Sequence, residues 1–259
     1  MLGPMLVSCD ADGPPLSLGP PKQRVLLTAL LLEPNRIVAL ERLAATIWET
    51  DAPASWMANV RTYASGLRSV LVDQAATSRL LSRSPGYGVV VGEDELDLAE
   101  FRRFAGWGRS ALLAGDAFTA VANLDLALAL WRGAAAEDVR SSAALDRRLV
   151  AIDEERLVAL EDWADARLAL GQNQPLVLEL RDLTDRHPLR ERLWAALMLA
   201  LYRSGDVCGA LEAFRQARGR LATELGLDPG PVLVRLHRAV LARDTALEAP
   251  SGFGSGPVG

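Results

Sequence analysis

A helix-turn-helix pattern recurs in the C-terminal part of this 259-residue chain with a period of 34 residues, centred first on Gly171 and then on Gly205. Apolar and small residues flank the two glycines at the same offsets. The flanking residues are Leu160, Trp163, Arg167, Leu176, Leu180 and Leu183 in the first copy and Trp194, Leu197, Leu201, Ala210, Phe214 and Ala217 in the second. Because one pair of helices cannot cover its own apolar faces, such units must stack to form a continuous core.

A third copy of the pattern surrounds Gly115. Its flanking residues are Phe104, Trp107, Ala111, Ala120, Leu124 and Ala127. Gly115 lies 56 residues before Gly171, which is 22 more than one period, so we expect an inserted segment around Arg132 to Asp153. A 34-residue unit with these positions is typical of tetratricopeptide repeats. We therefore predict an all-α, tetratricopeptide-like helical repeat domain over residues 97–246.

The same position of the three copies is occupied by Trp107, Trp163 and Trp194. This equivalence favours packing of all three rings in the core of the repeats over a ligand cage. The last residues, 247–259, are rich in Gly, Pro and Ser and contain too little apolar surface to order themselves. We predict that they form a disordered tail.

The N-terminal part has a different pattern, which predicts a mixed α+β domain over residues 1–92. The predicted strands cover 1–9 and 16–19, the predicted helices cover 22–32, 40–48 and 55–72, and a predicted β-hairpin covers 80–91. Three helices followed by a hairpin are the parts of a winged helix-turn-helix. The chain as a whole is accordingly predicted to be mainly α.

The third predicted helix has two distinct faces. Val60, Ala64, Leu67 and Leu71 are spaced to share one face, which should pack on the first two helices. The outward face is predicted to carry Arg61, Thr62, Ser65, Arg68 and Ser69. Arginine binds guanine bidentately and hydroxyl groups bond to base edges or phosphates, so this face suits a DNA major groove. An ordinary solvated face is the open alternative.

Further basic and aromatic residues are predicted to contact DNA around this helix. They are Arg79, Arg83 and Tyr87 in the hairpin, Lys22 and Arg24 at the start of the first helix, and Arg36 after it. Arginines of a wing enter the minor groove or hold phosphates in winged helices. Each of these residues is equally compatible with a plain surface role.

The net charge of −5 hides an asymmetry that leaves nucleic-acid binding open. Residues 1–92 contain eight basic and seven acidic side chains, whereas the remainder contains 20 basic and 26 acidic ones. DNA binding depends on a local basic face more than on the charge of the whole chain. The chain also lacks an apolar run long enough to cross a bilayer and lacks a secretory signal pattern, so we predict a cytoplasmic protein without membrane contact.

The sequence contains no pattern that predicts catalysis, so we expect no catalytic residues, no cofactor and no metal site. Its two histidines are not clustered, and Cys9 and Cys208 are expected to be small buried apolar residues. Acidic pairs such as Glu161-Asp162 lie beside arginines and are expected to be solvated helix faces. No nucleophile motif or phosphate-binding loop is present.

Several stretches of the chain resemble the Streptomyces antibiotic regulatory protein (SARP) family, pathway-specific transcriptional activators of actinobacteria. The stretches that carry the resemblance are LGP at 2–4, PKQRVLLTALLLEPNRIV at 21–38, ERLAATIW at 41–48, VRTYASGLRSVL at 60–71, SPGYGVVV at 84–91, LALALWRG at 126–133, HPLRERLWAALMLALYRSG at 187–205 and ELGLDPGPVLVRLHRAVL at 224–241. The resemblance implies an OmpR-type winged helix followed by a bacterial transcriptional activation domain, in the small form without an ATPase module.

The resemblance also implies partners. Such proteins bind direct repeats in double-stranded DNA near the promoters of antibiotic gene clusters. They are homodimers at least on DNA, and they contact RNA polymerase including its sigma subunit. The third helix departs from the family pattern, because Met57, Gly66 and Ser69 stand where basic side chains are expected. Fewer phosphate contacts predict weaker binding and a shallower salt dependence.

Two other functions remain open from the sequence. A helical-repeat scaffold with a degenerate winged helix that binds protein instead of DNA is the main alternative, motivated by the acidic C-terminal part and the arginine-poor third helix. A small-molecule signal bound to the repeats is the other. No convergent polar cluster in the sequence locates a site for it.

Overall fold

A computed structural model describes residues 1–8, 13–72, 77–139 and 142–248 of the chain. Within these ranges the fold is mainly helical, with a small antiparallel sheet. Its α-helices are α1 Pro21–Leu31, α2 Leu40–Trp48, α3 Trp56–Val70, α4 Asp97–Leu113, α5 Ala117–Ala129, α6 Ala143–Ala169, α7 Asn173–Arg186, α8 Glu191–Arg203, α9 Val207–Leu225 and α10 Pro231–Ala242. The strands are β1 Val38–Ala39, β2 Leu80–Arg83 and β3 Gly86–Val89, and a 3₁₀ helix covers Thr245–Leu247.

Some sequence predictions fall outside these ranges. They are the environment of Cys9 and most of the predicted tail, from residue 249 onward. Among the helices of the described ranges, none has both the length and the hydropathy that a membrane span requires.

The chain divides into two compact units. Unit 1 comprises Met1–Arg103 and Leu126–Leu157, and unit 2 comprises Phe104–Asp125 and the described residues from Val158 onward. The division assigns the predicted insertion, Arg132 to Asp153, to the same unit as the N-terminal helices. The domain boundaries near residues 92 and 97 stay a prediction.

The core of unit 1 forms where α1 packs against both α2 and α3. Helix α1 buries almost every residue between Val25 and Leu31, and α3 buries Val60, Ala64 and Leu67 against it. The sheet has the order β1-β3-β2, with both pairs antiparallel. The three helices and the hairpin predicted from the sequence are thus present in the structure.

The two strands predicted at the N-terminus are absent from the described residues 1–8 and 13–20. A single backbone bond joins the two segments, from the Leu16 N–H to the Val7 carbonyl at 2.7 Å. The prediction was wrong because the first residues bond to the inserted segment instead. The bonds are Arg132 N–H to the Leu2 carbonyl at 2.7 Å, Ala136 N–H to the Met1 carbonyl at 2.9 Å and Met5 N–H to the Asp138 carboxylate at 2.6 Å.

The first turns of α6 complete unit 1. They bury Leu145, Leu149 and Ile152, whose spacing places them on one face of the helix. The Arg148 guanidinium between them donates to the Leu32 carbonyl at the end of α1 and forms an ion pair with Glu33, both at 3.2 Å. The insertion therefore contributes both apolar packing and a cap for the C-terminal end of α1.

The helix-turn-helix repeat predicted from the sequence is confirmed by three turns with the same geometry. Gly115, Gly171 and Gly205 each adopt a positive φ, of 80°, 70° and 86° respectively. The N–H of the next residue then bonds to the carbonyl five residues before it. These bonds are Asp116 to Ala111 at 2.9 Å, Gln172 to Arg167 at 3.0 Å and Asp206 to Leu201 at 2.9 Å. Glycine suits this position because the left-handed conformation costs a residue without a Cβ little.

The three equivalent tryptophans do not share one environment. Trp163 and Trp194 are buried, with 6% and 3% of their surface exposed, as predicted. For Trp107 the prediction was wrong, because 54% of its surface is exposed and its ring packs edge-on against Phe104 at 5.7 Å. Trp107 belongs to the first repeat, which has no preceding repeat to stack on.

Two further expectations are corrected in unit 2. Cys208 is exposed, because it lies in the first turn of α9 directly after the repeat turn. The Glu161-Asp162 pair is buried instead of solvated, and Arg190 and Arg192 at the N-terminal end of α8 form ion pairs with it. The Arg192 guanidinium contacts Asp162 and Asp165 at 2.6 Å each. Burial raises the pKa of the Glu161 and Asp165 carboxyls above their usual values, and the ion pairs with arginine oppose this rise only in part.

We expect Gly86→Ala to destabilise unit 1 by about 1–3 kcal/mol, the usual cost of inserting a group into a packed site. A Cβ at position 86 would lie 2.8 Å from the carbonyl carbon of Val38 and would overlap the carbonyl oxygen. That carbonyl cannot move without breaking the pairing of β1 with β3. Urea unfolding followed by circular dichroism measures the change.

Gly106→Ala is the matched control for this substitution. Gly106 lies inside α4, and no atom of a described residue lies within 4 Å of a Cβ added there. Alanine there should stabilise the chain by up to about 1 kcal/mol through helix propensity. A Gly86→Ala variant as stable as the wild type would show that the approach of the two strands does not require glycine.

Candidate nucleic-acid interface

Helix α3 separates a buried face from an exposed polar face, as the sequence predicted. Val60, Ala64 and Leu67 are almost fully buried. The α3 residues predicted to contact DNA are all exposed, namely Arg61, Thr62, Ser65, Arg68 and Ser69. Neither arginine forms an ion pair with any described residue, so both guanidinium groups remain available to an external anion. Their contact with DNA stays a prediction.

The three hydroxyl groups of this face differ in what they already bond to. The Thr62 hydroxyl donates to the Ala58 carbonyl at 3.0 Å, and the Ser69 hydroxyl donates to the Gly66 carbonyl at 2.8 Å. Both keep only acceptor capacity for a ligand. The Ser65 hydroxyl has no such bond among the described residues and lies between Arg61 and Arg68 in the helix. Ser65 is therefore the hydroxyl of this face whose proton is free for a new bond.

Gly66 is a packing residue, which corrects the expectation of a basic side chain there. A Cβ at Gly66 would overlap the amide oxygen of Gln23 and lie 2.9 Å from its Cδ. Gln23 belongs to α1 and is only 6% exposed. An isolated glycine inside a helix is the sequence signal for such a close approach. Nothing in the sequence identifies Gln23 as the neighbour.

Lys22 lies close to α3 through an aromatic pair that the sequence analysis did not identify. Its Nζ lies 4.8 Å from the centre of the Trp48 ring, a cation–π contact. On α3, Tyr63 stacks with the same tryptophan, with ring centres 6.1 Å apart. Trp48 therefore joins the predicted phosphate anchor Lys22 to α3 at Tyr63, which directly follows the exposed residues Arg61 and Thr62 in the sequence.

Two of the other predicted contacts are already paired within unit 1. The Arg24 guanidinium bonds to the Asp138 carboxylate at 2.6 Å, and Arg79 forms an ion pair with Glu95. Glu95 also accepts the Gly92 N–H at 2.6 Å. The hydrogen bond from Arg79, followed by that from Gly92, holds the pKa of the Glu95 carboxyl below its usual value. Each arginine would have to exchange a carboxylate for a phosphate to contact DNA.

The remaining predicted residues lie in different environments. Arg36 and Arg83 are exposed and form no ion pair with a described residue. Tyr87 is only 9% exposed, because β3 is the middle strand and its neighbours Val38 and Ser82 flank it on both sides. Its ring therefore belongs to the core of unit 1, and a contact between Tyr87 and DNA stays a prediction that its burial does not favour.

Comparison with known proteins identifies the family. A family model described as "Bacterial transcriptional activator domain" matches residues 96–241, more than half of the chain. The transcriptional regulator RedD of Streptomyces coelicolor is 34% identical over 98% of this chain and 73% of its own length. The chain belongs to the Streptomyces antibiotic regulatory protein family.

Two further SARP-family relatives extend this comparison. The regulatory protein AfsR of S. coelicolor is 43% identical over 95% of this chain but only 24% of its own length. The solved structure of Mycobacterium tuberculosis EmbR in complex with a low affinity phosphopeptide has a TM-score of 0.87 and 33% sequence identity, over 97% of this chain and 65% of that chain. The chain thus spans about a quarter of AfsR and less than two thirds of EmbR.

In this SARP-family chain, we expect Gly66→Arg to lower the free energy of unfolding by about 1–3 kcal/mol, because the side chain must displace Gln23. The loss should appear although arginine gains about 1 kcal/mol of helix propensity over glycine. Thermal unfolding followed by circular dichroism measures it.

Ser69→Arg is the control, since Ser69 is exposed on the same helix. Its effect on the free energy of unfolding should stay within about 0.5 kcal/mol. Equal stability of the Gly66→Arg variant and the wild type would mean that position 66 is open to a basic side chain.

Proposed function

We propose that this chain is a sequence-specific, DNA-binding transcriptional activator in which residues 1–92 form a winged helix-turn-helix and α3 enters the major groove. The observation that carries the proposal is the exposed face of α3. Arg61 and Arg68 lie seven residues apart on it with no ion-pair partner among the described residues. Seven residues span about 10 Å along a helix, so the two side chains reach base pairs about three steps apart.

The surroundings of α3 support a division of roles. Arg61, Ser65 and Arg68 would read base edges, because arginine pairs with guanine and the free Ser65 hydroxyl can donate or accept. Lys22, Arg36 and Arg83 would bind phosphates and set the position of the helix in the groove. Arg24 and Arg79 would join them only after leaving their carboxylate partners.

The family supports the rest of the proposal. RedD and AfsR are named as regulators, and the matched domain is described as a transcriptional activator domain. We therefore propose that the tetratricopeptide-like repeats, over residues 97–246, mediate contact with a second copy and with RNA polymerase including its sigma subunit. Two protomers would lie side by side on a direct repeat near a promoter of an antibiotic gene cluster.

We expect Arg61→Ala and Arg68→Ala each to weaken binding to the promoter next to the gene for this chain. The expected loss is about 1–3 kcal/mol, the value of a bidentate contact with a base. Fluorescence titration at fixed salt measures the affinity, with a fragment of unrelated sequence as the reference. Arg235→Ala is the matched control, because Arg235 is exposed on α10 in unit 2. Its affinity should equal that of the wild type.

Footprinting on the same promoter fragment tests the arrangement of the protomers. Two adjacent protected half-sites are expected, and a single half-site would contradict binding to a direct repeat. No salt-sensitive binding to any promoter fragment, even with polymerase present, would instead support the alternative of a helical-repeat scaffold that binds protein through a degenerate winged helix.

We expect Glu95→Gln to strengthen DNA binding and to steepen its salt dependence, because it removes the carboxylate charge with which Arg79 pairs and which competes with a phosphate. One additional phosphate contact changes the slope of log Kobs against log salt by about 0.9. Asp94→Asn is the matched control. It removes the same charge from the neighbouring position, but Asp94 pairs with Arg103 instead of Arg79. Equal slopes for the two variants would show that Arg79 does not contact phosphate.

A further inference from the structure

A cavity of about 380 Å³ lies within unit 2, whereas the residues of the proposed DNA surface belong to unit 1. It is lined by Asn173, Tyr202, Arg203, Gly205, Val207, Arg243 and Glu248. The volume is near the lower end of the range for small-molecule sites, about 300–1,000 Å³. It suits a ligand of metabolite size and excludes a folded peptide.

Arg203 is a half-buried cation that is bonded only to neutral groups. Its Nε donates to the Leu247 carbonyl at 2.7 Å and its Nη1 to the Leu168 carbonyl at 3.0 Å. No ion pair joins Arg203 to any described residue, and burial lowers the pKa of its guanidinium below the usual value. The bond to the Leu168 carbonyl places this cation at the C-terminal end of α6, where it interacts favourably with the helix dipole but is not neutralised by a carboxylate of a described residue. Arg203 therefore carries a desolvated charge to which an anion would bind favourably.

Asn173 provides an unsatisfied acceptor in the same cavity. Its Oδ1 is buried and has no hydrogen-bond partner among the described residues. A buried carbonyl oxygen without a partner is uncommon and costs about 1–3 kcal/mol. A ligand with an N–H group would satisfy it after the Asn173 side chain turns toward the cavity that the residue lines.

The other lining residues supply charges of both signs. Arg243 is a second exposed arginine, and Glu248 is an exposed carboxylate; neither forms an ion pair with a described residue. The first residues of α7 and α9, Asn173 and Val207, also line the cavity. The Asp206 carboxylate caps the N-terminal end of α9, whereas no side chain of a described residue caps that of α7. Helix N-termini carry a partial positive charge that favours carboxylates.

We propose that this cavity binds a small zwitterion, a free α-amino acid or a close relative of one. The carboxylate of the ligand contacts the guanidinium groups of Arg203 and Arg243. Its ammonium group donates to the orphan oxygen of Asn173 and contacts Glu248. Tyr202 and Val207 leave apolar surface for a side chain. A ligand of this class would place an opposite charge beside Arg203, Arg243 and Glu248, which have no ion pair with a described residue.

NMR titration of the full chain tests the proposal, with the Arg203 Nε–H resonance as the reporter, assigned from its loss in Arg203→Lys. The probes are L-leucine, L-leucinamide, which lacks the carboxylate, and 4-methylpentanoate, which lacks the ammonium group, all at equal ionic strength. L-Alanine and L-glutamine are added as probes with other side chains. At least one amino acid should shift the resonance with a roughly millimolar Kd. The two truncated probes should bind at least about tenfold more weakly, which is the loss expected for a charge-assisted hydrogen bond.

Arg243→Gln and Glu248→Gln test the two ends of the site without removing the bonds that Arg203 makes. Each should weaken amino acid binding about tenfold. Arg238→Gln, an exposed arginine of α10 that does not line the cavity, should have no effect.

Three results would overturn the proposal. The first is no shift with any of the three amino acids at about 20 mM, a concentration well above a millimolar Kd. The second is equal shifts from leucine and leucinamide, and the third is equal amino acid binding by Arg243→Gln and the wild type. The experiment contains no DNA, so its failure would leave the proposed DNA-binding function untouched.

Discussion

The close packing of α1 on α3 is the constraint on which the proposed DNA surface depends. The two helices meet along an apolar seam that includes Val60, Ala64 and Leu67, and beside it the Gln23 amide group occupies the space that a Cβ at Gly66 would need. This contact sets the rotation of α3 about its axis. Because side chains three and four residues apart share a helix face, the same rotation presents Arg61, Ser65 and Arg68 to solvent.

The number of basic side chains in unit 1 that are open to DNA depends on ion pairing as much as on composition. The sequence counts eight basic side chains in residues 1–92, yet the structure engages Arg24 with Asp138 and Arg79 with Glu95. Arg61 and Arg68 have no such partner among the described residues. Competition between carboxylates and phosphates therefore decides which arginines contribute to the salt dependence of binding. A count of arginines along the sequence overestimates that number.

The repeat pattern located the inserted segment correctly but did not predict the environment of every equivalent residue. Spacing alone located it, since 56 residues separate the first two turns where one period is 34. The pattern also implied that equivalent positions have equivalent environments, which holds for Trp163 and Trp194 but not for Trp107. Equivalence in sequence becomes equivalence in burial only where a neighbouring repeat covers the same face. Neither the spacing of the repeats nor the equivalence of their positions predicts the bonds between the first residues and the segment 132–138, because these bonds join residues more than 120 positions apart.

The sequence by itself determined the features that depend on residues close together in the chain. These are the helices and hairpin, the three glycine turns and the two faces of α3, because local spacing and the steric freedom of glycine specify them. Only the tertiary structure decided which groups meet across the fold. It placed Gln23 against Gly66, brought Glu95 to Arg79, buried Glu161 and Asp162 under Arg192, and left the Asn173 oxygen unpaired in a cavity beside Arg203. The physical reason is that such contacts depend on how distant segments pack, and no periodicity along the chain records that packing.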